Sequence, residues 1–257
     1  MSSTRKISVI IITKNEEENI TECLESVKWA DEIVVVDSGS TDKTLELAGR
    51  FTGKIHFNKF TGYAAQKSYA LSKAENEWVL SLDADERVTG ELKDEILNLV
   101  DDKTDGFRIR RKNYFLGKEI KGCGWDNDYQ LRLFRKSRTK LTERLVHEGF
   151  VVNGTVAKLK NPILHYSYRN FHDAMIKINN YSTLEAQEKY KRKKITAFGI
   201  LFRPLWDFFQ YFVLRKGFRD GVYGLLVSIM HALTKTQTYI KIWIMRNQNK
   251  DKAITGV

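Results

Sequence analysis

Proline is nearly absent from this chain of 257 residues; Pro162 and Pro204 are the two. No proline-rich linker separates domains. Cysteine is equally scarce, with Cys23 and Cys123 alone. That excludes a disulfide framework or a paired-cysteine metal motif and leaves buried, reduced thiols as the reading. Long apolar runs are also missing: none reaches the ~18–20 uninterrupted residues of a spanning helix. Met1 to Lys6 show neither the apolar segment nor the cleavage site of a signal peptide, so a cytoplasmic protein is expected. Gly-x-Gly-x-x-Gly, Walker and Gly-x-Ser-x-Gly patterns do not occur, and His147-Glu148 lacks the second histidine of a zincin.

Acidic residues are few in one region only. Residues 189–257 hold fourteen Lys/Arg against three acids, Asp207, Asp220 and Asp251, which accounts for the whole net charge of +11. Residues 1–188 are balanced at 29 bases and 29 acids. A basic quarter on a neutral body implies an anionic partner, a membrane surface or nucleic acid.

What is abundant is β-branched, apolar sequence in short runs. Ile7 to Thr13 (ISVIIIT), Glu32 to Asp37 (EIVVVD) and Glu77 to Asp83 (EWVLSLD) read as strands buried on both faces, with a short strand at Lys54 to Phe57. Between them, helical spacing appears over Asn15–Val27, around Leu45 to Ala48, and over Ala64–Ala74; Leu92–Val100 follows. Alternation of this kind predicts βαβ units and a mainly parallel sheet, an α/β fold. From Gly106 to Tyr168, runs such as Phe107-Arg108-Ile109-Arg110 and Leu131-Arg132-Leu133-Phe134 alternate apolar with basic residues, predicting strands with one solvated face. After Asn170 the chain reads as helical to near its end.

Ligands of open α/β sheets bind beyond the carboxyl ends of the strands. Thr13-Lys14-Asn15, Asp37-Ser38-Gly39 and Asp83-Ala84-Asp85 all fall there, which makes one edge the expected site. Asp83 and Asp85 would repel each other unless a cation neutralised them. A hard ion, Mg²⁺ or Mn²⁺, bound by carboxylate and phosphate oxygens suits that pair, and would stabilise a diphosphate as a leaving group.

Thr13-Lys14-Asn15-Glu16-Glu17, Val36-Asp37-Ser38-Gly39-Ser40-Thr41-Asp42 and Leu82-Asp83-Ala84-Asp85-Glu86, in that order and spacing, resemble the family 2 glycosyltransferases, which have the GT-A fold. Gly62-Tyr63-Ala64-Ala65-Gln66-Lys67 and Val146-His147-Glu148 look like the lipopolysaccharide core glucosyltransferases among them. The resemblance covers residues 6–170 well and the tail more loosely. It implies that Thr13, Asn15, Glu16, Asp37, Lys67, Asp83 and Ala84 bind a nucleotide-diphosphate sugar, with UDP as the favoured nucleotide. Asp37 would meet the base and Lys67, where many relatives have arginine, the pyrophosphate. Asp83, Asp85 and His147 would hold the metal. Inversion at the anomeric carbon needs a base for the acceptor hydroxyl. Glu148 is the first candidate, with Asp126 and Asp128 as alternatives; many relatives carry Glu-Asp where this chain has His147-Glu148. Neighbours on a strand face opposite ways, so His147 and Glu148 act together only in a loop or bend. Trp125 fits a sugar-stacking wall or a core anchor, and His165 a further ligand or a structural histidine.

In the tail, Lys189 to Lys194 (KYKRKK) precedes Thr196 to Leu214, where Arg203, Asp207 and Gln210 form one narrow polar stripe; Gly221 to Leu233 is a second apolar helix. Such helices flanked by Lys/Arg lie on an anionic bilayer; the alternative is a cap packed on the α/β domain or on a partner. No nucleic-acid motif accompanies the charge. The expected protein thus has a GT-A domain over 1–170 and a basic amphipathic tail over 171–257. It is expected to move a hexose, glucose favoured, to a lipid-linked saccharide such as lipopolysaccharide or lipooligosaccharide core, from the cytoplasmic face of the inner membrane. A nucleotidyltransferase and a non-catalytic membrane adaptor on the same fold are the rivals.

Overall fold

A computed structural model describes residues 5–99, 103–141 and 149–255. The chain divides into two compact units, Met1–Lys112 with Asn127–Tyr166, and Asn113–Asp126 with Ser167–Val257.

In chain order the first unit comprises β1 (Ile7–Thr13), α1 (Ile20–Val27), β2 (Glu32–Asp37), α2 (Thr44–Ala48), β3 (Ile55–Phe57), α3 (Tyr63–Lys73), β4 (Trp78–Asp83), β5 (Glu86–Val88) and α4 (Gly90–Leu97). Val100, the expected end of the helix that α4 represents, lies outside the described residues. Most of β6 (Gly106–Phe115) belongs to the first unit as well. After the short β7 (Lys118–Glu119) of the second unit come β8 (Tyr129–Arg135), β9 (Thr139–Leu141), β10 (Phe150–Val152), β11 (Val156–Lys158) and β12 (Ile163–Tyr168). β3, β2, β1 and β4 lie side by side and parallel; β8 then joins β4 antiparallel, and β6 joins β8. Successive residues of β1 explain why it is apolar throughout. Val9 and Ile11 enter one core cluster with Leu24, Leu80 and Leu133, while Ile10 enters the other with Val36, Val79 and Phe134. A strand buried on both faces needs such a run, and each fully buried aliphatic side chain contributes roughly 1.5–3 kcal/mol.

The register sets the site. Thr13 lies opposite Asp37, and Ile12 opposite Asp83, so three strands end level. The loops after β1 and β2 are then joined by hydrogen bonds. Asn15, held at φ +53°, donates its N–H to Ser40 Oγ (2.8 Å) and accepts Thr41 N–H (2.8 Å), while Glu16 N–H meets Thr44 Oγ1 (2.7 Å). Asparagine tolerates that left-handed conformation better than most residues. A left-handed Asn15 cannot be part of a right-handed helix, so α1 begins beyond it, at Ile20, and not at Asn15 as expected from spacing.

In the second unit α5 (Phe171–Lys189) and α6 (Ala197–Phe209) pack on α7 (Gly221–Thr255). One π-helical turn, Gln210–Leu214, follows α6. The core gathers Phe115, Ile120 and Cys123 from the 113–126 segment with Ala174, Ile178, Val227 and Met230. Asp220 accepts from Lys121 N–H (3.1 Å) and Gly122 N–H (2.6 Å), which fastens that segment to the helices of its unit. A Cβ on Gly224 would stand 1.8 Å from the Gly217 carbonyl oxygen, so α7 starts in contact with backbone. α7 continues past the apolar run Gly221–Leu233 to near the end of the chain, as the sequence predicts, with Thr238, Tyr239 and Ile242 buried along it. Among the described residues no helix is long and apolar enough to cross a membrane.

Candidate active site

The Asp83–Glu86 loop is pinned through its backbone at three successive residues. Asp83 N–H donates to Glu86 Oε2 (3.1 Å), the Ala84 carbonyl accepts from Arg87 (2.9 Å), and the Asp85 carbonyl accepts from Tyr166 N–H (2.9 Å).

Its carboxylates are matched by cations from other elements. Asp83 Oδ1 is 3.1 Å from Lys67 Nζ on α3, and Asp83 Oδ2 is 2.7 Å from Arg132 Nη2 on β8. Arg132 also pairs with Glu86, which lies 3.5 Å from Arg111 on β6; Arg111 in turn holds Asp128 at 2.6 Å. Glu86 is wholly buried and Arg132 is 4% exposed. Burial alone would push the Asp83 carboxyl up, but the charges of Arg132 and Lys67 outweigh it and hold it well below the usual carboxylate range. Beside this chain of ion pairs, Asp85 Oδ2 lies 3.5 Å from His165 Nε2, where β12 pairs with β5.

The residues named from sequence occupy distinct places. Thr13 is buried at the end of β1, and its hydroxyl has no hydrogen-bond partner among the described residues. Asn15 and Glu16 line the joined loops. Asp37 is 2% exposed and accepts from the N–H groups of Gly39 (2.7 Å) and Ser40 (2.9 Å), so it shapes the turn after β2. Gly39 takes φ +93°, a conformation that suits glycine. Lys67 is a partly buried partner of Asp83 and not a free surface lysine, and Ala84 is buried. Asp128 is engaged by Arg111 and by Gln130 Nε2 (2.7 Å), whereas Asp126 is exposed and belongs to the second unit. Trp125 donates to His231 Nε2 (3.2 Å) and stacks on Tyr168, as a core anchor would. His147 and Glu148 lie outside the described residues.

Several residues of the cluster have no role that spacing alone assigns. Alternation predicts Arg132 on a solvated strand face; it is buried instead, because two carboxylates meet it there. Its place between Leu131 and Leu133 is the available signal. Glu86 sits within the acidic motif, and Gln66 within the Gly62–Lys67 motif. Gln66 is 1% exposed, donates to Ser38 Oγ (2.9 Å) and accepts from Asn58 Nδ2 (2.8 Å), tying α3 to the loops after β2 and β3.

A parallel α/β sheet continued by antiparallel strands, with a buried acidic loop at its carboxyl edge, is the architecture of the GT-A glycosyltransferases. The family model described as glycosyl transferase family 2 matches residues 8–153, and this chain belongs to that family. It is 30% identical to the lipopolysaccharide core biosynthesis glycosyltransferase LpsC of Rhizobium meliloti, over 97% of each chain. It is 32% identical to an uncharacterized glycosyltransferase of Rickettsia conorii, over 91% of this chain and 88% of that one. Among solved structures, S. aureus TarS 1–349 in complex with UDP-GlcNAc aligns with a TM-score of 0.47 at 16% identity, covering 95% of this chain and 92% of that one.

Proposed function

We propose that this glycosyltransferase moves a hexose, with glucose favoured, from a UDP-sugar to a lipid-linked saccharide of the lipopolysaccharide or lipooligosaccharide core class, with inversion, at the cytoplasmic face of the inner membrane. The observation that carries the reading is the Asp83–Glu86 loop, held rigid by Lys67 and Arg132 at the edge where β1, β2 and β4 end level. Similarity to LpsC over nearly the whole chain supports the acceptor class. The Thr13 hydroxyl, unpartnered among the described residues, is a group that a bound nucleotide would satisfy, and Asn15, Glu16, Asp37 and Ala84 shape the wall around it.

Among the described residues no group of three metal-ligating side chains is gathered at one point; a hard divalent ion, Mn²⁺ or Mg²⁺, would complete its ligands with His147 and the oxygens of the donor diphosphate. Asp85 offers oxygen with His165 nitrogen beside it, and Asp83 stands two residues away. Asp83, Asp85 and His147 would hold the ion, with His165 a further donor; when bound, it would neutralise the diphosphate leaving group. Lys67 would meet the diphosphate as a point charge. Glu148 would take the proton from the acceptor hydroxyl as that oxygen bonds to the anomeric carbon and the bond from carbon to diphosphate oxygen breaks. Asp126 and Asp128 are the alternatives; Asp128 is already engaged by Arg111 and Gln130.

Purified protein offered UDP-glucose, UDP-galactose, UDP-GlcNAc and ADP-heptose with Mn²⁺ or Mg²⁺ tests this. Release of nucleotide diphosphate from a UDP-hexose is expected, and no release or binding with any donor refutes it. Asp85→Ala should abolish metal-dependent donor binding. Glu148→Gln should keep donor binding and lower transfer ~10²–10⁴-fold; full transfer by that variant moves the base to Asp126 or Asp128.

A further inference from the structure

The second unit buries polar groups beside its apolar core and shows large apolar groups outside. Ser182, Glu185, Asp207, Ser228 and Thr238 are buried in it. On α6 the order is inverted along a single helix. Asp207 is 1% exposed and is gripped by Arg203 through two hydrogen bonds of 3.0 and 3.1 Å, whereas Phe198 and Leu205 are 68% and 60% exposed. Phe198, Leu201, Phe202, Leu205, Trp206 and Phe209 recur at three- and four-residue steps, so they share one face, and Asp207 points from the opposite one. The chain keeps showing apolar groups at the end of the π turn, at Val213 and Leu214, and beyond it, at Phe218 and Val222. A contiguous face of this kind marks an interaction surface.

Charge selects the occupant. From Lys189 to Val222 every exposed charged residue is basic, because Asp207 is buried and Asp220 is engaged by Lys121 and Gly122. A second copy of this chain would bring the same positive charge to the same face, whereas an anionic bilayer complements it. We propose that the outward face of α6, continued through Val222, inserts into the interface of an anionic phospholipid bilayer, with Lys194, Lys216 and Arg219 meeting lipid phosphates. With no helix able to span among the described residues, the unit lies in the membrane plane. This deepens the lipid-linked acceptor reading, on which its purpose rests: it names the surface that brings the enzyme to a substrate confined to a membrane.

The full chain is sedimented with vesicles of phosphatidylglycerol and phosphatidylcholine in equal parts, and with phosphatidylcholine alone. Co-sedimentation with the anionic vesicles, and quenching of Trp206 by brominated acyl chains, is expected. Phe198→Ser with Leu205→Ser should weaken partitioning by roughly tenfold for each side chain withdrawn. Lys194→Gln, Lys216→Gln and Arg219→Gln together should remove the preference for anionic vesicles while leaving the tryptophan signals of the fold unchanged. Equal partitioning of the wild type and the serine variant overturns the proposal. So does a wild type that stays in the supernatant but dissociates from dimer to monomer on the serine substitutions, which gives the face to a second copy. Donor turnover with a water-soluble saccharide acceptor, followed in parallel, separates the two readings. Turnover without vesicle binding removes the docking surface alone; vesicle binding without turnover removes the transfer reading alone.

Discussion

Arg132 and Glu86 show how far a single residue can depart from its pattern. An apolar–basic alternation predicts a solvated arginine, yet Arg132 is buried because it completes two ion pairs that no local spacing reveals. That carboxylates at the end of a buried strand need neutralising was legible from the acidic motif itself. What spacing could not supply was the identity of the cations, which come from α3 and β8, far along the chain. Glu86 is the position most open to test. Glu86→Gln leaves Arg132 and Arg111 short of a buried counter-charge and should destabilise the fold by about 3 kcal/mol. Urea unfolding followed by circular dichroism measures this, and a loss under about 1 kcal/mol would show that Asp83 and Asp128 suffice as counter-charges.

At the scale of elements, the four parallel strands and the helices between them were legible because each carries its own periodicity. β5 was not, since Glu86 and Arg87 occupy a buried three-residue strand that looks polar. α7 continues to Thr255, in keeping with a sequence that reads as helical from Asn170 to near its end. That helix also sets an acid response. Burial lowers the His231 pKa to about 4, with Arg215 and Lys235 acting in the same direction, so His231 is neutral when it accepts from Trp125. The unfolded chain takes up a proton near pH 6.5 that the folded chain refuses. Stability should therefore fall as pH drops from about 6.5 to about 4, by up to about 3 kcal/mol, and level off below. Glu185 acts in a second, lower window. Burial raises its pKa, but Lys189, Lys235 and Thr238 outweigh this and bring it to about 2. Its contribution is present above about pH 4.5 and is lost as pH falls towards 2. His231→Gln should erase the first window in a thermal-unfolding pH series and spare the second; an unchanged profile would assign the first window elsewhere.

For the whole molecule, the charge asymmetry and the change to helices after Asn170 were legible from composition. The membership of residues 113–126 in the second unit was not, because it depends on Asp220, Gly224 and the Cys123 pocket, contacts made about a hundred positions along the chain. Truncation after Ala186 should therefore disturb more than the tail. Cys123 is buried, and burial pushes its thiol above the ordinary value; the full chain should leave it unlabelled by a thiol reagent, while the truncated chain should label it within minutes. A truncated protein with Cys123 still protected would show that the segment holds without the helices.

The ion pairs around the acidic loop have one more consequence. Lys67, Arg111 and Arg132 stand against Asp83, Glu86 and Asp128, three charges of each sign. These six charges cancel within the fold, and Asp85 beside His165 is the acidic residue of the loop left outside that balance, the place where an added positive charge would not compete with those ion pairs.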